Sequence, residues 1–400
     1  MYVDRYLRRN SNPPFGKWKG ALSAYTPLQL ASRPLQYLLE TYPALHIDGV
    51  LLAQVIQAGS GQNPARHVAY QAGVSSQTPP ALTLNNVCLG GIATVIDAVR
   101  RIKLEEGSFY IVGGFDSMSN APHLIPTRAI KGIGHQTLTD TLLHDGLWCS
   151  LSNQSMGVLT DQYNQKFEIS REEQDQYAAL SQQRAAEARS KGSFKQEIIP
   201  FEGVLEEDEG IRPQTTEEKL ANLKPVFTKE GTITAGNASQ MTDGASIGIV
   251  TTSEKANELD ADPLAHILDW AETAGPDTSL HTKPSDAIKK ILDKQKLTVA
   301  DIDLFEINEA FASVVIASCQ ALQLEWDKVN VNGGAIAIGH PLGGTGFRLV
   351  LTLAHELKRR GGGKGIAALC GGGGGQGVAI LIEVSKRGGN NHEFANNRAK

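Results

Sequence analysis

A single cysteine, Cys88, stands just ahead of two glycines in the stretch LNNVCLGGIATVIDAVRRIK, Leu84 to Lys103. Apolar residues follow it at helical spacing, at Ile92, Val95, Ile96 and Val99. The spacing predicts a helix that begins beside the thiol. A helix N-terminus lowers the pKa of a thiol, and Gly90 and Gly91 would leave room for a bulky substrate. A buried structural cysteine is the commoner case, and this stretch alone favours it.

A histidine lies in a second glycine-rich stretch, VNGGAIAIGHPLGGTGFR, at residues 331–348. His340 stands between Gly339 and Pro341, and a proline suits the first turn of a helix. A histidine in this setting can activate a thiol or hold an oxyanion. The alternative is a histidine that only caps a loop, and these residues leave both interpretations open.

A second cysteine precedes a run of glycines in CGGGGGQG, Cys370 to Gly377. Gly372, Gly374 and Gly377 satisfy the GxGxxG pattern of dinucleotide-binding folds, but that pattern requires a helix next. Here VAILIEV follows, which predicts a strand. We therefore expect a hairpin whose glycine turn exposes backbone N–H groups beside Cys370. An inert thiol in a glycine turn is the alternative, and it is favoured when this segment is taken alone.

An asparagine opens the segment NEAFA, at Asn308, where a strand is predicted to give way to a helix. It could orient a water, although an Asx cap on the helix is the favoured interpretation in isolation. Other searches fail, because no His/Cys set has zinc spacing and no phosphate loop is present. We expect no metal.

The composition excludes several classes of protein. A net charge of -5 over 400 residues argues against nucleic-acid binding, and no apolar run is long enough to cross a bilayer. The N-terminus is basic but lacks the apolar core of a secretion signal. Four cysteines without paired spacing indicate a reducing, cytoplasmic compartment.

The elements that must position these residues alternate between strands and helices, which predicts an α/β fold. The segments DGVLLAQVI and GSFYIVGG are typical of buried strands, and LFEINEAFASVVIASCQAL predicts a strand, a turn and a helix. A weak internal sequence similarity favours two similar α/β halves. Between them the chain is polar and rich in loops, with one clear helix that begins with a capping box at Ser170.

We predict four segments. Residues 1–118 are the first part of the N-terminal half, and residues 119–245 are an inserted loop domain with the return to that half. Residues 246–386 are the C-terminal half, and residues 387–400 are a disordered tail.

Taken together, these segments resemble the thiolase family over nearly the whole chain. The segments that carry the resemblance are GSGQNPAR, NNVCLGG, GGFDSMSNAP, SREEQDQYA, GTITAGNAS, NEAFA, GGAIAIGHPLGGTG and CGGGGGQG, and their order matches as well. The resemblance implies a five-layered fold of two similar α/β halves with a loop domain that covers coenzyme A.

The resemblance also implies catalytic roles. Cys88 would take up the acyl group, His340 would deprotonate it, and Cys370 would be the second acid and base. Asn308 would hold a water that forms one oxyanion hole with His340. The backbone N–H groups of Cys88 and Gly372 would form the other.

Two further positions match residues that contact the substrate. Ser239 matches a serine near the pantetheine, and Met156 matches a residue that lines the acyl pocket. The chain departs from the family pattern at Gly90, where serine is usual, and at Ser155, where short-chain members often have histidine. It also has Asn12-Pro13-Pro14 in place of Arg-Thr-Pro, and Gln240 in place of a frequent glycine.

The expected function is that of a thiolase that interconverts two acetyl-CoA with acetoacetyl-CoA and CoA. A broader 3-ketoacyl-CoA thiolase of fatty-acid breakdown and a catalytically silent acyl-CoA-binding protein are the alternatives. The substrates would be coenzyme A thioesters, with no cofactor and no nucleic-acid or membrane partner. Analogy with the family implies a homodimer or homotetramer.

Overall fold

The fold is described from a computed structural model of the chain. It covers residues 5–42, 46–74, 79–130, 132–258 and 263–386, with the backbone alone for residues 5–11 and 129. The predicted disordered tail, 387–400, lies outside the described residues. Within these ranges, no helix is both long and apolar enough to span a lipid bilayer.

The strands follow the sequence pattern closely. They are β1 (Arg5–Ser11), β2 (Gly16–Lys17), β3 (Gly49–Ala53), β4 (Ala81–Leu84), β5 (Phe109–Ser117), β6 (His123–Leu124), β7 (Thr139–Asp140), β8 (Trp148–Cys149), β9 (Gln154–Ser155), β10 (Thr242–Thr252), β11 (Ala265–Ala274), β12 (Leu304–Ile307), β13 (Gly363–Gly371) and β14 (Gln376–Val384). β13 and β14 pair antiparallel around the glycine turn, so the predicted hairpin is confirmed and the dinucleotide pattern is excluded.

The α-helices alternate with these strands. They are α1 (Pro27–Thr41), α2 (Pro64–Gln71), α3 (Gly90–Lys103), α4 (Met156–Lys166), α5 (Arg171–Ser190), α6 (Glu217–Ala221), α7 (Ser253–Glu258), α8 (Lys283–Gln295), α9 (Ala312–Leu322), α10 (Ala335–Ile338) and α11 (Thr345–Arg359). The predicted start of α3 is confirmed, and its four predicted apolar positions are buried. The capping box at Ser170 is also present, with Glu173 as its partner.

One large sheet unites the chain, in the order β12-β13-β14-β11-β1-β10-β5-β3-β4. In the first half, β3 runs parallel to β4 and β5, and β5 pairs antiparallel with β10. In the second half, β12 runs parallel to β13, and β13 pairs antiparallel with β14. The halves meet where β1 pairs with β11. This repeated arrangement agrees with the expected two similar α/β halves.

The predicted boundary at 245/246 falls inside β10, which runs from Thr242 to Thr252. β10 pairs with β5 and β1 along its length, so the sheet of the first half continues to Thr252. The middle segment also contains more helix than predicted. α4 is missed by the sequence reasoning because its apolar spacing is weak, with polar buried residues such as Asp161 and Asn164 on its inner face.

α3 and α11 pack against one another between the halves, and both contribute to the largest apolar cluster. Glycines allow their close approach. A Cβ on Gly91 would lie 2.6 Å from the backbone nitrogen of Phe347, and one on Gly346 would lie 2.8 Å from that of Ile92. The residues just ahead of these two helices are therefore brought to the same place in the molecule.

Candidate active site

Cys88 and His340 meet where the starts of α3 and α11 converge. The Cys88 Sγ lies 3.2 Å from the His340 Nε2, although 252 positions separate the residues along the chain. This distance allows a proton to pass directly from the thiol to the imidazole. Cys88 is only partly buried, whereas Cys149, Cys319 and Cys370 are buried.

The turn that carries Cys88 is strained. Val87 has a φ of 49°, in the left-handed region that a β-branched residue rarely adopts. Its N–H donates to the Asn85 Oδ1 at 3.0 Å, and the Gly90 N–H donates to the Val87 carbonyl at 3.1 Å. Such strain persists only where surrounding bonds hold it, and it is common at functional sites.

Two hydrogen bonds hold His340 in place. Its backbone N–H donates to the Gln240 carbonyl at 3.1 Å, and its Nδ1 lies 2.6 Å from the Thr345 Oγ1. The residue is 5% exposed. When Nδ1 carries the proton and donates to Thr345, Nε2 is left as an acceptor that faces Cys88. In this tautomer the imidazole is placed to accept the Cys88 proton.

The electrostatics of the pair differ from the expected lowered pKa of a helix N-terminus. Burial raises the pKa of the Cys88 thiol to about 12, and the Asp116 carboxylate raises it as well. The backbone N–H groups of Cys88 and Gly372 oppose this by lowering the pKa. Burial also lowers the pKa of His340 to about 4. Near neutral pH the resting pair is therefore a neutral thiol and a neutral imidazole.

Cys370 lies at the end of β13 and is 1% exposed. Burial raises the pKa of its thiol, and the neighbouring Cys88 adds to the effect. The two sulfurs are therefore close enough for their charges to interact. The nearby Gly372 differs from the helix glycines, because a Cβ there would meet nothing closer than the Met156 Sδ at 3.4 Å.

Gly90 and Gly91 do not serve the predicted purpose of substrate access. A Cβ on Gly90 would lie 2.7 Å from the Cβ of Ala53, and Gly91 faces the α11 backbone as described above. These glycines instead let α3 pack closely on β3 and α11. A Cβ on Gly372 would instead make only ordinary contacts, with Met156 at 3.4 Å and Val87 at 3.7 Å.

Asn308 follows β12, and its Nδ2 lies 3.5 Å from the His340 Nε2. Its Oδ1 is buried and has no partner among the described residues. α9 begins only at Ala312, with Phe311 as its N-cap and no side-chain cap bond. The Asx-cap alternative for Asn308 is therefore wrong, and the amide lies beside His340.

The remaining predicted contacts lie at the rim of this site. Met156 is the first residue of α4 and packs in an apolar cluster with Cys370 and Phe311. Ser239 is half-buried, and its N–H donates to the Ala310 carbonyl at 3.0 Å. Ser155 caps α4 by accepting the Val158 N–H at 3.3 Å.

The Gln240 side chain connects separate segments of the chain by hydrogen bonds. Its side-chain amide nitrogen lies 2.9 Å from the carbonyls of Gly210, Ile336 and Ala337. Among the side chains that the structure describes, no cluster of three or more His, Cys, Asp or Glu could hold a metal ion.

Comparison with known proteins agrees with this geometry. The family model for the N-terminal domain of thiolase matches residues 9–254, and that for the C-terminal domain matches residues 261–384. The chain belongs to the thiolase family. Its expected fold is thereby confirmed.

Curated relatives cover most of this thiolase. A probable acetyl-CoA acetyltransferase of Mycolicibacterium smegmatis is 45% identical over 380 residues, which span 92% of this chain and 97% of the relative. The acetyl-CoA acetyltransferase of Allochromatium vinosum is 40% identical over 379 residues, with 92% and 96% covered.

Solved structures are similar as well. The crystal structure of the Bacillus anthracis acetyl-CoA acetyltransferase has a TM-score of 0.91 and 36% identity, and covers 95% of this chain and 98% of its own. Human mitochondrial 3-ketoacyl-CoA thiolase has a TM-score of 0.91 and 35% identity, with 96% and 99% covered.

Sequence reasoning missed Thr345 and Asp116. Thr345 lies five residues after His340, in the stretch already singled out, so its hydroxyl could have been considered as a partner of the imidazole. Asp116 lies in the motif GGFDSMSNAP. A charged residue at the end of a predicted buried strand is unusual, and this could have identified it as a candidate.

Proposed function

We propose that this thiolase is an acetyl-CoA C-acetyltransferase, which condenses two acetyl-CoA reversibly to acetoacetyl-CoA and CoA through an acetyl group on Cys88. The observation that carries the proposal is the 3.2 Å separation of the Cys88 Sγ and the His340 Nε2. The names of the acetyl-CoA acetyltransferase relatives, at 40–45% identity, support the substrate.

In the first half-reaction, the Cys88 sulfur attacks the thioester carbonyl while His340 Nε2 takes its proton. The carbon–sulfur bond to CoA then breaks, and Cys370 gives its proton to the leaving sulfur. Acylation of Cys88 divides one difficult condensation into two easier steps. Because the resting thiol has a pKa of about 12, attack requires the proton transfer to His340 rather than a preformed thiolate.

In the second half-reaction, the Cys370 thiolate removes a proton from the α-carbon of a second acetyl-CoA. The resulting carbanion forms a carbon–carbon bond with the acetyl carbonyl on Cys88, and the sulfur leaves and recovers its proton from His340. Burial raises the pKa of Cys370, which makes its thiolate a stronger base for a weakly acidic carbon.

Two oxyanion holes stabilise the negative charge that develops on oxygen. Asn308 holds a water that acts with His340, and the unpartnered Asn308 Oδ1 supports this role. The backbone N–H groups of Cys88 and Gly372 form the second, which is supported by their effect on the Cys88 sulfur. Loss of one such donor typically costs about 2.7–4 kcal/mol of transition-state stabilisation.

The test of this function is acid-quench trapping with acetyl-CoA labelled in the acetyl group. We expect one label on Cys88 before product forms, and none in the Cys88→Ala variant. A folded wild-type protein that binds acetyl-CoA without label on Cys88 would instead be the silent acyl-CoA-binding protein.

A second candidate is a broader 3-ketoacyl-CoA thiolase of fatty-acid metabolism, favoured by the structural likeness to human mitochondrial 3-ketoacyl-CoA thiolase. Thiolysis rates with 3-ketoacyl-CoA of increasing chain length separate the two. We expect the rate to fall beyond the four-carbon substrate, and a flat or rising profile would establish the broader enzyme. The half-buried Ser239 and the apolar Met156 are the side chains we assign to the pantetheine and the acyl group.

We further propose that the reaction needs no metal or redox cofactor, and that the enzyme is a cytoplasmic homodimer or homotetramer without nucleic-acid or membrane partners. Unchanged activity after chelation would support the absence of a metal. Light scattering of the purified protein tests the oligomeric state. Fractionation of cells that express the chain tests its location.

A further inference from the structure

Asp116 is a buried carboxylate whose partners come from two separate segments of the chain. It lies near the end of β5 and is 0% exposed. Its Oδ1 accepts the Ile56 N–H at 2.9 Å, and its Oδ2 accepts the Gly343 N–H at 2.9 Å. The Val55 N–H lies within 3.2 Å of both oxygens. Gly343 is three residues beyond His340, so this side chain anchors the turn that carries the base.

The same side chain connects to the turn of the nucleophile. The Val55 carbonyl accepts from the Asn85 Nδ2 at 3.4 Å, and the Asn85 Oδ1 accepts the Val87 N–H at 3.0 Å. Val87 directly precedes Cys88. A chain of hydrogen bonds therefore runs from the turn of the base, through Asp116, to the turn of the nucleophile.

Each anchored turn contains a residue with a left-handed backbone, either at the hydrogen-bonded position or directly before it. Val87 has a φ of 49°, and Leu342, directly before Gly343, has a φ of 30°. Non-glycine residues in this region are strained and relax unless other bonds hold them. Loss of the anchors would therefore let the two turns move.

We propose that Asp116 is a positioning residue that holds the turn of His340 against the turn of Cys88 and thereby sets the sulfur–nitrogen distance. This inference rests on the proposed function. Asp116 touches no reacting atom, because its carboxylate oxygens are occupied by backbone N–H groups.

The charges around Asp116 determine its response to pH. The Cys88 thiol interacts with the charge of Asp116, and Asp243 on the neighbouring β10 accepts from Ser117 and Ser119. Burial raises the pKa of Asp116 to about 7, although its three N–H partners lower it. As the pH falls from 8 to 6, Asp116 becomes protonated, its carboxyl accepts less well, and kcat should fall.

The titration of Cys88 or His340 would not produce this fall of kcat at acidic pH, which we call the acid limb. The pKa of His340 is about 4 and that of Cys88 is about 12, so neither changes its charge between pH 6 and pH 8.

The experiment compares Asp116→Asn with Asp48→Asn. The amide introduced by Asp116→Asn would direct an NH₂ group at one of the N–H donors, and one turn would be released. We expect kcat to fall by about 100-fold, as is typical of a displacement of about 1 Å. We also expect a nearly unchanged KM and no acid limb near pH 7. Wild-type kcat with the acid limb intact in Asp116→Asn would overturn the inference.

Asp48 is the matched control, because it accepts the Ser108 and Phe109 N–H groups at 2.7 and 3.0 Å at the opposite end of β5. Asp48→Asn should keep the wild-type kcat and acid limb even where it lowers stability. If it reproduces the kinetic defects of Asp116→Asn, these defects reflect a general weakening of β5 and the inference fails.

Asn85→Ala keeps the inference testable if Asp116→Asn does not fold. Asn85 is exposed, so its loss should be tolerated. The variant loses both hydrogen bonds that join Val55 to Val87, and a loss of about 1 kcal/mol in the positioning of the Cys88 turn corresponds to an approximately fivefold lower kcat. A wild-type kcat in this variant would contradict the proposed connection.

Labelling of Cys88 separates the two proposals. Wild-type protein without label on Cys88 means that the proposed function fails. Label on the wild type at the same rate as on Asp116→Asn means that only the positioning role fails.

Discussion

The starts of α3 and α11 occupy equivalent places in the two halves, yet they carry different chemistry. The turn before α3 holds a partly exposed thiol, whereas the turn before α11 holds an imidazole that is 5% exposed. Burial raises the pKa of Cys88 and lowers that of His340, so it keeps both groups neutral. The difference teaches that the proposed proton transfer would start from two neutral groups at a short distance rather than from a preformed ion pair.

The largest expected effect comes from the replacement of His340, the proposed base. His340→Asn keeps a polar side chain but cannot take the thiol proton, and loss of a general base costs about 10²- to 10⁴-fold. Single-turnover acetylation of Cys88 measures this loss. His281, also buried and with a pKa of about 4, pairs with Asn164 instead, so His281→Asn should keep the acetylation rate. Wild-type acetylation by His340→Asn would show that proximity to this imidazole is irrelevant.

The packing between α3 and α11 can be tested at Gly91, with Gly372 as the comparison. In Gly91→Ala, the new Cβ would lie 2.6 Å from the Phe347 backbone nitrogen, so the helices must separate. We expect the free energy of unfolding to fall by about 1–3 kcal/mol, together with a lower kcat. Urea denaturation and steady-state kinetics measure these changes.

Gly372→Ala is the counterpart, since its Cβ meets nothing nearer than the Met156 Sδ at 3.4 Å. It should keep the stability of the wild type and lose activity, because the methyl group enters the space beside Cys88. Equal stability of Gly91→Ala and the wild type would show that the helix contact does not fix the pair.

The smallest effect is expected from Thr345→Val. The His340 Nδ1 would lose its 2.6 Å partner, so the orientation of the ring would be less firmly fixed. An unsatisfied buried group costs about 1–3 kcal/mol, and we expect a roughly tenfold lower kcat at an unchanged KM. Thr345→Ser retains the hydroxyl and should restore most of the rate. No difference between the valine and serine variants would mean that the Nδ1 contact does not orient the ring.

Local signals predicted much of the fold and the main members of the site. The strand after the glycines of CGGGGGQG identified a hairpin, and the apolar spacing after Cys88 identified α3, because both depend on neighbouring residues. The catalytic roles of Cys88, His340 and Cys370 stay predictions that the proposed labelling tests.

The sequence could not predict features that depend on distant contacts. The raised pKa of Cys88 arises from burial and from Asp116, and the Asp116 bond to Gly343 spans 227 positions. The purpose of Gly91 was misjudged for the same reason, because its neighbour Phe347 belongs to the other half. The departure at Gln240 also gains a structural meaning only through its contacts with the segments around Gly210 and Ile336.

The 252 positions between Cys88 and His340 have a consequence for biosynthesis. A ribosome completes the half that carries Cys88 before it adds His340, so the contact between the two side chains cannot form until both α3 and the start of α11 have been synthesised.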